Sequence, residues 1–272
     1  MQGVLEASDA SDWRRPDPAN TLYLELDAGR VVFELAPHFA PRHIDNIRKL
    51  VAARYFDGLA IIRSQDNYVV QWGDPDVSGD DPRSLGAASA MLEPEFYRSA
   101  AGLPFTKIDS RDAYAEEVGF SDGFPAGRDG PDGRAWLAHC YGMLGVGRAT
   151  SPRSGSGAEL YVVTGHAPRH LDRNVTLVGR VIDGIEHLTT LPRGTGPLGF
   201  YEDPSEYVPV RALRFGNELP PDARIDVELL RTDTDAFLEL VEARRYRAED
   251  WFVDPADRIG LCNVPLPSRS PD

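Results

Sequence analysis

The sequence predicts a mostly β protein, a closed antiparallel barrel with capping helices, and three observations carry that reading. Thr21 to Leu26 reads TLYLEL, with Leu22, Leu24 and Leu26 alternating against Tyr23 and Glu25. Arg30 to Leu35 reads RVVFEL and repeats the period through Val31, Phe33 and Leu35. A period of two turns one face of a strand to a core, and the intervening Asp27-Ala28-Gly29 is short enough for a hairpin loop. Short apolar runs bounded by Gly and Pro recur later, ending in Val208 to Phe215 and Arg224 to Leu230, two strands placed to close a barrel.

The elements follow in order. Residues 1–20 have no apolar period and read as a flexible leader. After the hairpin, Pro41 opens a segment in which Ile44, Ile47, Leu50 and Val51 recur at helical spacing, giving a helix with one buried face over Pro41 to Arg54. From Asp76 to Trp136, Gly, Asp and Pro punctuate the chain and predict a long insertion, with a short helix around Glu93 to Ala100. Order returns at HCYGMLGVGRA, His139 to Ala149, followed by GSGAELYVVTG and PRHLDRNVTLVGRV. Phe237, Leu240 and Val241 then mark a last helix, acidic early and basic late as its dipole favours, in an extension over residues 233–272 that packs on a barrel domain of residues 21–232.

Composition narrows the function classes. The 272 residues can bury a substantial core, and a net charge of −14 argues against general affinity for nucleic acid or anionic lipid. No run has the apolar length of a membrane-spanning helix. Asp74, Asp76 and Gly79 start like a calcium loop, but its twelfth position is Leu85 rather than a glutamate. Ser154 and Ser156 lack the strand-to-helix context of a hydrolase nucleophile. No Cys or His spacing suits zinc, so neither a metal nor a cofactor is expected.

The run YFDGLAIIRSQDNYVVQWGDP, Tyr55 to Pro75, sets Arg63 in an apolar stretch, with Tyr68, Val69 and Gln71 following it. Together with Asp57, Gly58, Gly73 and Asp74 this resembles the signature of cyclophilins, the barrel-shaped peptidyl-prolyl isomerases. The Gly-Met-Leu strand, the Gly-Ser-Gly approach to Tyr161, the His-Leu-Asp of His170 to Asp172 and the Gly-Arg-Val exit extend the resemblance over Thr21 to about Leu230. It implies an eight-stranded closed barrel and an isomerase working on proline-containing segments of client proteins, as a monomer, without nucleic acid or a membrane span. Several positions depart from the family pattern. Ile61 replaces Phe, Ile62 replaces His, and Trp72 stands for the first Gly of Gln-Gly-Gly-Asp. Glu159 stands for Gln, Leu160-Tyr161 for Phe-Phe, His170 for Trp or Phe, Val175 for His and Arg148 for Asn.

The chemistry explains why these residue types matter. Rotation about an Xaa-Pro bond meets a barrier of ~20 kcal/mol from amide resonance. A guanidinium donating toward the imide nitrogen weakens that resonance and favours the twisted state, the role the resemblance gives Arg63. Gln71 would hold Arg63, and Tyr68, Val69, Tyr161 and Leu171 would line the proline slot with His170 at its flank. Gly147 and Arg148 would present main chain to the residue before proline. Glu159 would either orient Arg63 through an ion pair or restrain it. The alternative function is a cyclophilin-like peptide-binding or assembly module with little catalysis.

Cys140 and Cys262 are the only cysteines, one before a barrel strand and one in the tail. Paired, they would join extension to core and place the protein in the periplasm or outside the cell, with its signal removed. Unpaired, they are two buried thiols of a cytoplasmic protein.

Overall fold

The alternating strands at the start of the chain form a two-residue hairpin, β1 (Thr21–Leu26) and β2 (Gly29–Leu35). Gly29 ends the turn at φ 146°, where a Cβ would lie 2.2 Å from the His187 ring, so any other residue would strain the backbone and displace that ring. A computed structural model of the chain describes residues 2–271. Six further strands complete the barrel: β3 (Ala60–Ser64), β4 (Val69–Gly73), β5 (Met143–Val146), β6 (Leu160–Val163), β7 (Leu177–Asp183) and β8 (Val208–Phe215). They close in the order β5-β6-β4-β3-β8-β1-β2-β7, all antiparallel, so the barrel has no free edge. The inward residues, among them Leu22, Leu24, Val31, Phe33, Val70, Trp72, Leu160 and Leu213, form one apolar cluster.

Helix α1 (Pro41–Ala52) contributes Ile44, Ile47, Leu50 and Val51 to that cluster, the face its spacing predicts. Pro41 suits the first turn, but Ala40 before it offers no side-chain cap. Glu95 supplies the cap from a distant loop. Its carboxylate accepts the Arg42 and His43 backbone N–H groups at 3.2 and 3.0 Å and the buried His43 Nδ1 at 2.6 Å. Asn46 fastens the same loop, donating to the carbonyls of Ser89 and Ser156 and accepting the Ser89 N–H. A short helix, α2 (Glu186–Thr189), follows β7.

The chain separates into two compact units, and they divide it differently from boundaries at residues 20 and 232. The barrel unit comprises residues 17–97 and 139–225, and the other gathers residues 1–16, 98–138 and 226–272. In the second unit the inserted stretch forms a five-stranded antiparallel sheet rather than a loop. Its central hairpin joins Glu117–Ser121 to Phe124–Arg128 through Asp122-Gly123, both at positive φ, the geometry of a two-residue primed turn. No helix forms at Glu93 to Ala100; Arg98–Ser99 is a strand pairing with Arg134–Leu137. Glu228–Leu230 pairs with Trp13–Arg14 and Ser268–Arg269, so Arg224 to Leu230 does not close the barrel. The leader itself is anchored. Trp13 is buried, donates from Nε1 to Ser8 Oγ at 2.9 Å and lies beneath the Arg269 guanidinium. Helix α3 (Asp235–Arg245) buries Phe237, Leu240 and Val241, with Phe237 edge-on to Phe120 at 5.1 Å.

Replacing Glu95 with Ala strips the cap from α1 and leaves His43 buried without its partner. Two such losses should lower the unfolding free energy by about 2–4 kcal/mol, read as a lower urea midpoint at unchanged m-value.

Candidate active site

Strand register brings the candidate residues together. Ile61 on β3 faces the core opposite Trp72, and strict alternation would send Arg63 inward as well. A bulge between Ile61 and Arg63 inserts one extra residue, Ile62, and pairs Arg63 with Gln71 instead. Gln71 has the opposite parity to the buried Val70 and Trp72, so Arg63 emerges on the barrel's outer face. The row continues across the sheet: Gln71 stands opposite Tyr161 on β6, and Tyr161 opposite Gly145 on β5. Four strands therefore present arginine, glutamine, tyrosine and glycine side by side.

Arg63 is held by neutral groups. Its Nε donates to the Leu198 carbonyl at 2.7 Å, one terminal nitrogen donates to Gln71 Oε1 at 3.1 Å and the other to Gln65 Oε1. The guanidinium carbon lies 5.5 Å from the Tyr68 ring centre and 5.2 Å from that of Phe200. Burial lowers the Arg63 pKa, with Tyr68 opposing the shift, and an arginine remains a cation in such surroundings. Three of its five N–H groups are taken, which leaves two for a ligand.

Glu159 acts on Arg63 through Gln71 rather than by direct ion pairing. Gln71 Nε2 donates to Glu159 Oε2 at 2.7 Å, which turns its amide oxygen toward Arg63. Two glycines make room for this carboxylate. A Cβ on Gly73 would lie 2.8 Å from Glu159 Cγ, and one on Gly147 would lie 3.1 Å from Oε2. Burial, with the charge of Asp74 adding to it, pushes the Glu159 carboxyl above the usual carboxylate range, against the Gln71 hydrogen bond.

Tyr68, Val69 and His170 lie beside this row. Val69 is buried on β4 and Tyr68 half-buried at its start, with the His170 ring parallel to Tyr68 at 6.5 Å. Leu171 is half-buried in the short turn Arg169–Leu171. Tyr161 is 6% exposed, and its hydroxyl lies 2.9 Å from Nε2 of the buried His139. Gly147 donates its N–H to the Glu159 carbonyl. Arg148 turns aside, donating from Nε to the Asn174 carbonyl at 2.9 Å. The hairpin tip between β3 and β4 is pinned by Asn67, which takes a positive φ and accepts the His166 N–H at 2.7 Å.

Gln65, Leu198, Phe200 and His139 complete the site, and the sequence reading gives none of them a role in it. Pro-Leu-Gly-Phe carries no periodicity, and a turn with Leu198 at φ 58° and Gly199 at φ 76° brings Phe200 into a bridge with Arg63. No described cysteine is free, and Cys140 and Cys262 are both disulfide-bonded.

A closed eight-stranded barrel with an arginine–glutamine pair on its outer face defines a class, and comparison with known proteins agrees. The family model "Cyclophilin type peptidyl-prolyl cis-trans isomerase/CLD" matches residues 21–213, and the chain belongs to that family. A "Probable peptidyl-prolyl cis-trans isomerase" of Brucella suis is 24% identical over 197 residues, covering 71% of this chain and 79% of its own. "Peptidyl-prolyl cis-trans isomerase-like 3" of Mus musculus is 25% identical over 170 residues, 62% of this chain and 80% of that one. Among solved structures, the cyclophilin AquaCyp293 from Hirschia baltica aligns over 100% of this chain and 98% of its own at 25% identity, with a TM-score of 0.74.

The raised pKa of Glu159 makes a stability prediction of definite sign. A carboxyl that binds its proton more tightly folded than unfolded costs stability as pH rises through that window, and the cost persists above it. Glu159→Gln should therefore melt higher than the parent at pH 7, and the gap should close toward pH 4, where both states of the parent are largely protonated. Thermal scans at the two pH values would check it, and an equal gap at both would show that the charge is not its source.

Proposed function

We propose that this chain catalyses cis–trans isomerisation of exposed Xaa-Pro bonds in folding proteins. The carrying observation is Arg63, fixed between Tyr68 and Phe200 with two donors unspent, in the same cross-strand row as Gln71 and Tyr161. A proline ring seated against Val69, Tyr161 and Leu171 brings its imide nitrogen toward the guanidinium. The nitrogen turns pyramidal as the bond twists, and the charge already in place stabilises that geometry more than the planar one. No covalent intermediate forms, so nothing must be regenerated between turnovers. Holding the guanidinium with neutral amides and carbonyls, rather than a carboxylate, leaves its charge available to the substrate.

A peptide-binding module with little catalysis is the second reading, and one observation favours it: the chain's own Leu198 carbonyl and Gln65 amide occupy part of the guanidinium. A proline-tetrapeptide isomerisation assay separates the two. Turnover in the parent supports catalysis, whereas saturable binding without turnover supports the module. Arg63→Ala should lower kcat/KM by about 10²–10³ with the fold retained by circular dichroism, the scale of losing one preorganised electrostatic donor. Wild-type turnover in that variant would remove Arg63 from the mechanism.

We further place the protein in an oxidising compartment, periplasmic or extracellular. The support is that both cysteines are disulfide-bonded, a state rare in reducing cytoplasm. Reduction should cost about 4–5 kcal/mol of stability in the chain-entropy model for so long a loop, seen as a lower melting temperature. Intact mass after alkylation without reductant should show no added label, and two labelled thiols in natively purified protein would defeat the assignment.

A further inference from the structure

Beneath the proline slot lies a buried polar chain that the isomerisation chemistry does not use. Asp172 accepts the His139 backbone N–H and faces His139 Nδ1, both at 2.9 Å, while Arg169 Nε donates to its other oxygen at 2.5 Å. Salt-bridging side chains in this cluster are 7% exposed at Arg169, 1% at Asp172 and 0% at His139. The hydrogen bonds and charge of His139 and Arg169 hold the Asp172 carboxyl low against its burial. Asp172 is thus an acceptor only, and Nδ1 of His139 must carry the proton. Burial disfavours a second proton on that ring, which leaves Nε2 as an acceptor. The Tyr161 hydroxyl, 2.9 Å away, therefore donates to it. The two rings are nearly parallel, 10° apart, with centres 6.4 Å apart, an end-on arrangement suited to that bond.

Space confirms where the phenol has been drawn. A Cβ on Gly145 would sit 2.2 Å from Tyr161 Cζ and 2.3 Å from its hydroxyl, so the ring's end occupies the place a side chain there would take. Tyr161 leans across β5 toward His139 instead of projecting into the slot.

We propose that His139, oriented by Asp172 and Arg169, is a positioning residue that holds Tyr161 down as the floor of the proline slot and thereby sets proline-peptide affinity. The proposal rests on the isomerase reading for its slot, but its geometry is independent of Arg63. Removing the Nε2 acceptor leaves a buried hydroxyl without a partner, and the phenol regains one by swinging toward solvent through the slot. Asp172 keeps Arg169 and the His139 backbone N–H, so the damage is confined to Tyr161.

The test is a double-mutant cycle of His139→Leu and Tyr161→Phe in the full chain, assayed with a proline tetrapeptide and by titration of the same peptide. His139→Leu should raise KM and the dissociation constant about tenfold, the scale of one unpaired buried hydroxyl, with kcat within about twofold. Adding Tyr161→Phe should restore both to within about twofold of Tyr161→Phe alone, because phenylalanine needs no partner. A merely structural histidine would give no rescue, and independent multiplication of the two effects would overturn the proposal. His139→Gln, which keeps an acceptor, should stay within about threefold of the parent and serves if the leucine variant fails to fold. Labelled-tyrosine NMR reads the ring directly: unchanged Tyr161 signals in His139→Leu would also overturn the proposal. A parent that neither turns over nor binds peptide defeats the isomerase reading, and the ring spectrum then decides the positioning of Tyr161 by itself.

Discussion

The pairing of β3 with β4 is the constraint on which the site depends. Ile61, Val70 and Trp72 must face inward, and no register that exposes them competes with one that buries them. Once that register is set, a regular β3 would bury Arg63 beside Val70, an outcome a permanent cation cannot accept. The bulge at Ile62 resolves the conflict by one residue of slack. It delivers the arginine to the outer face while Ile61 and Ser64 remain buried on either side. Core packing and catalytic geometry are thus two consequences of one register, because every residue that joins Arg63 in the row is placed by pairing to β4 or β6.

Electrostatics follows from that placement. A half-buried cation is costly unless its donors are met, and the usual remedy is a carboxylate. Here the nearest carboxylate in the hydrogen-bonded chain is one residue removed, with Gln71 between. An amide has one donor end and one acceptor end. Glu159 takes the donor end, which fixes the acceptor end on Arg63. The guanidinium is oriented without being neutralised, and the strain of the arrangement appears in Glu159, whose ionised form burial opposes.

How much of this the sequence discloses varies with the physical signal. The barrel hairpin, the buried face of α1 and the Arg63–Gln71 segment are legible because periods of two and three to four are local and strong. Asp122-Gly123 between two short apolar runs was an available hairpin signal inside the insertion, hidden by the glycines and prolines around it. The Glu95 cap, the Leu198 carbonyl and the His139 acceptor leave no such trace. They join residues 52, 135 and 22 positions apart through one hydrogen bond or a few, and only the folded chain brings them together. Arg224 to Leu230 shows the converse error: only its last three residues, Glu228–Leu230, form a strand, and periodicity does not say which sheet that strand will join.

The departures from the family pattern acquire a common logic once the neighbours are known. Glu159 is larger in charge than the glutamine it replaces, and it is accommodated by Gly73 and Gly147, whose missing side chains leave it space. Tyr161 adds a hydroxyl to a phenylalanine position, and Gly145 opposite gives room to the phenol while His139 gives it an acceptor. Trp72 fills a glycine position by turning into the core, its ring 6.0 Å from Phe33. At Glu159 and Tyr161 the more polar group is matched across the sheet by absent bulk or by a dedicated partner, whereas Trp72 is held by apolar packing, its Nε1 buried without a hydrogen bond. A residue read singly against the pattern therefore looks like damage to the site, whereas the unit that packs is the pair. The same reasoning separates the two positions: Glu159→Gln keeps the shape and the Gln71 contact and removes only a buried charge, whereas Tyr161→Phe leaves the His139 Nε2 unpaired, so a return to the ordinary pattern there has to change both members together.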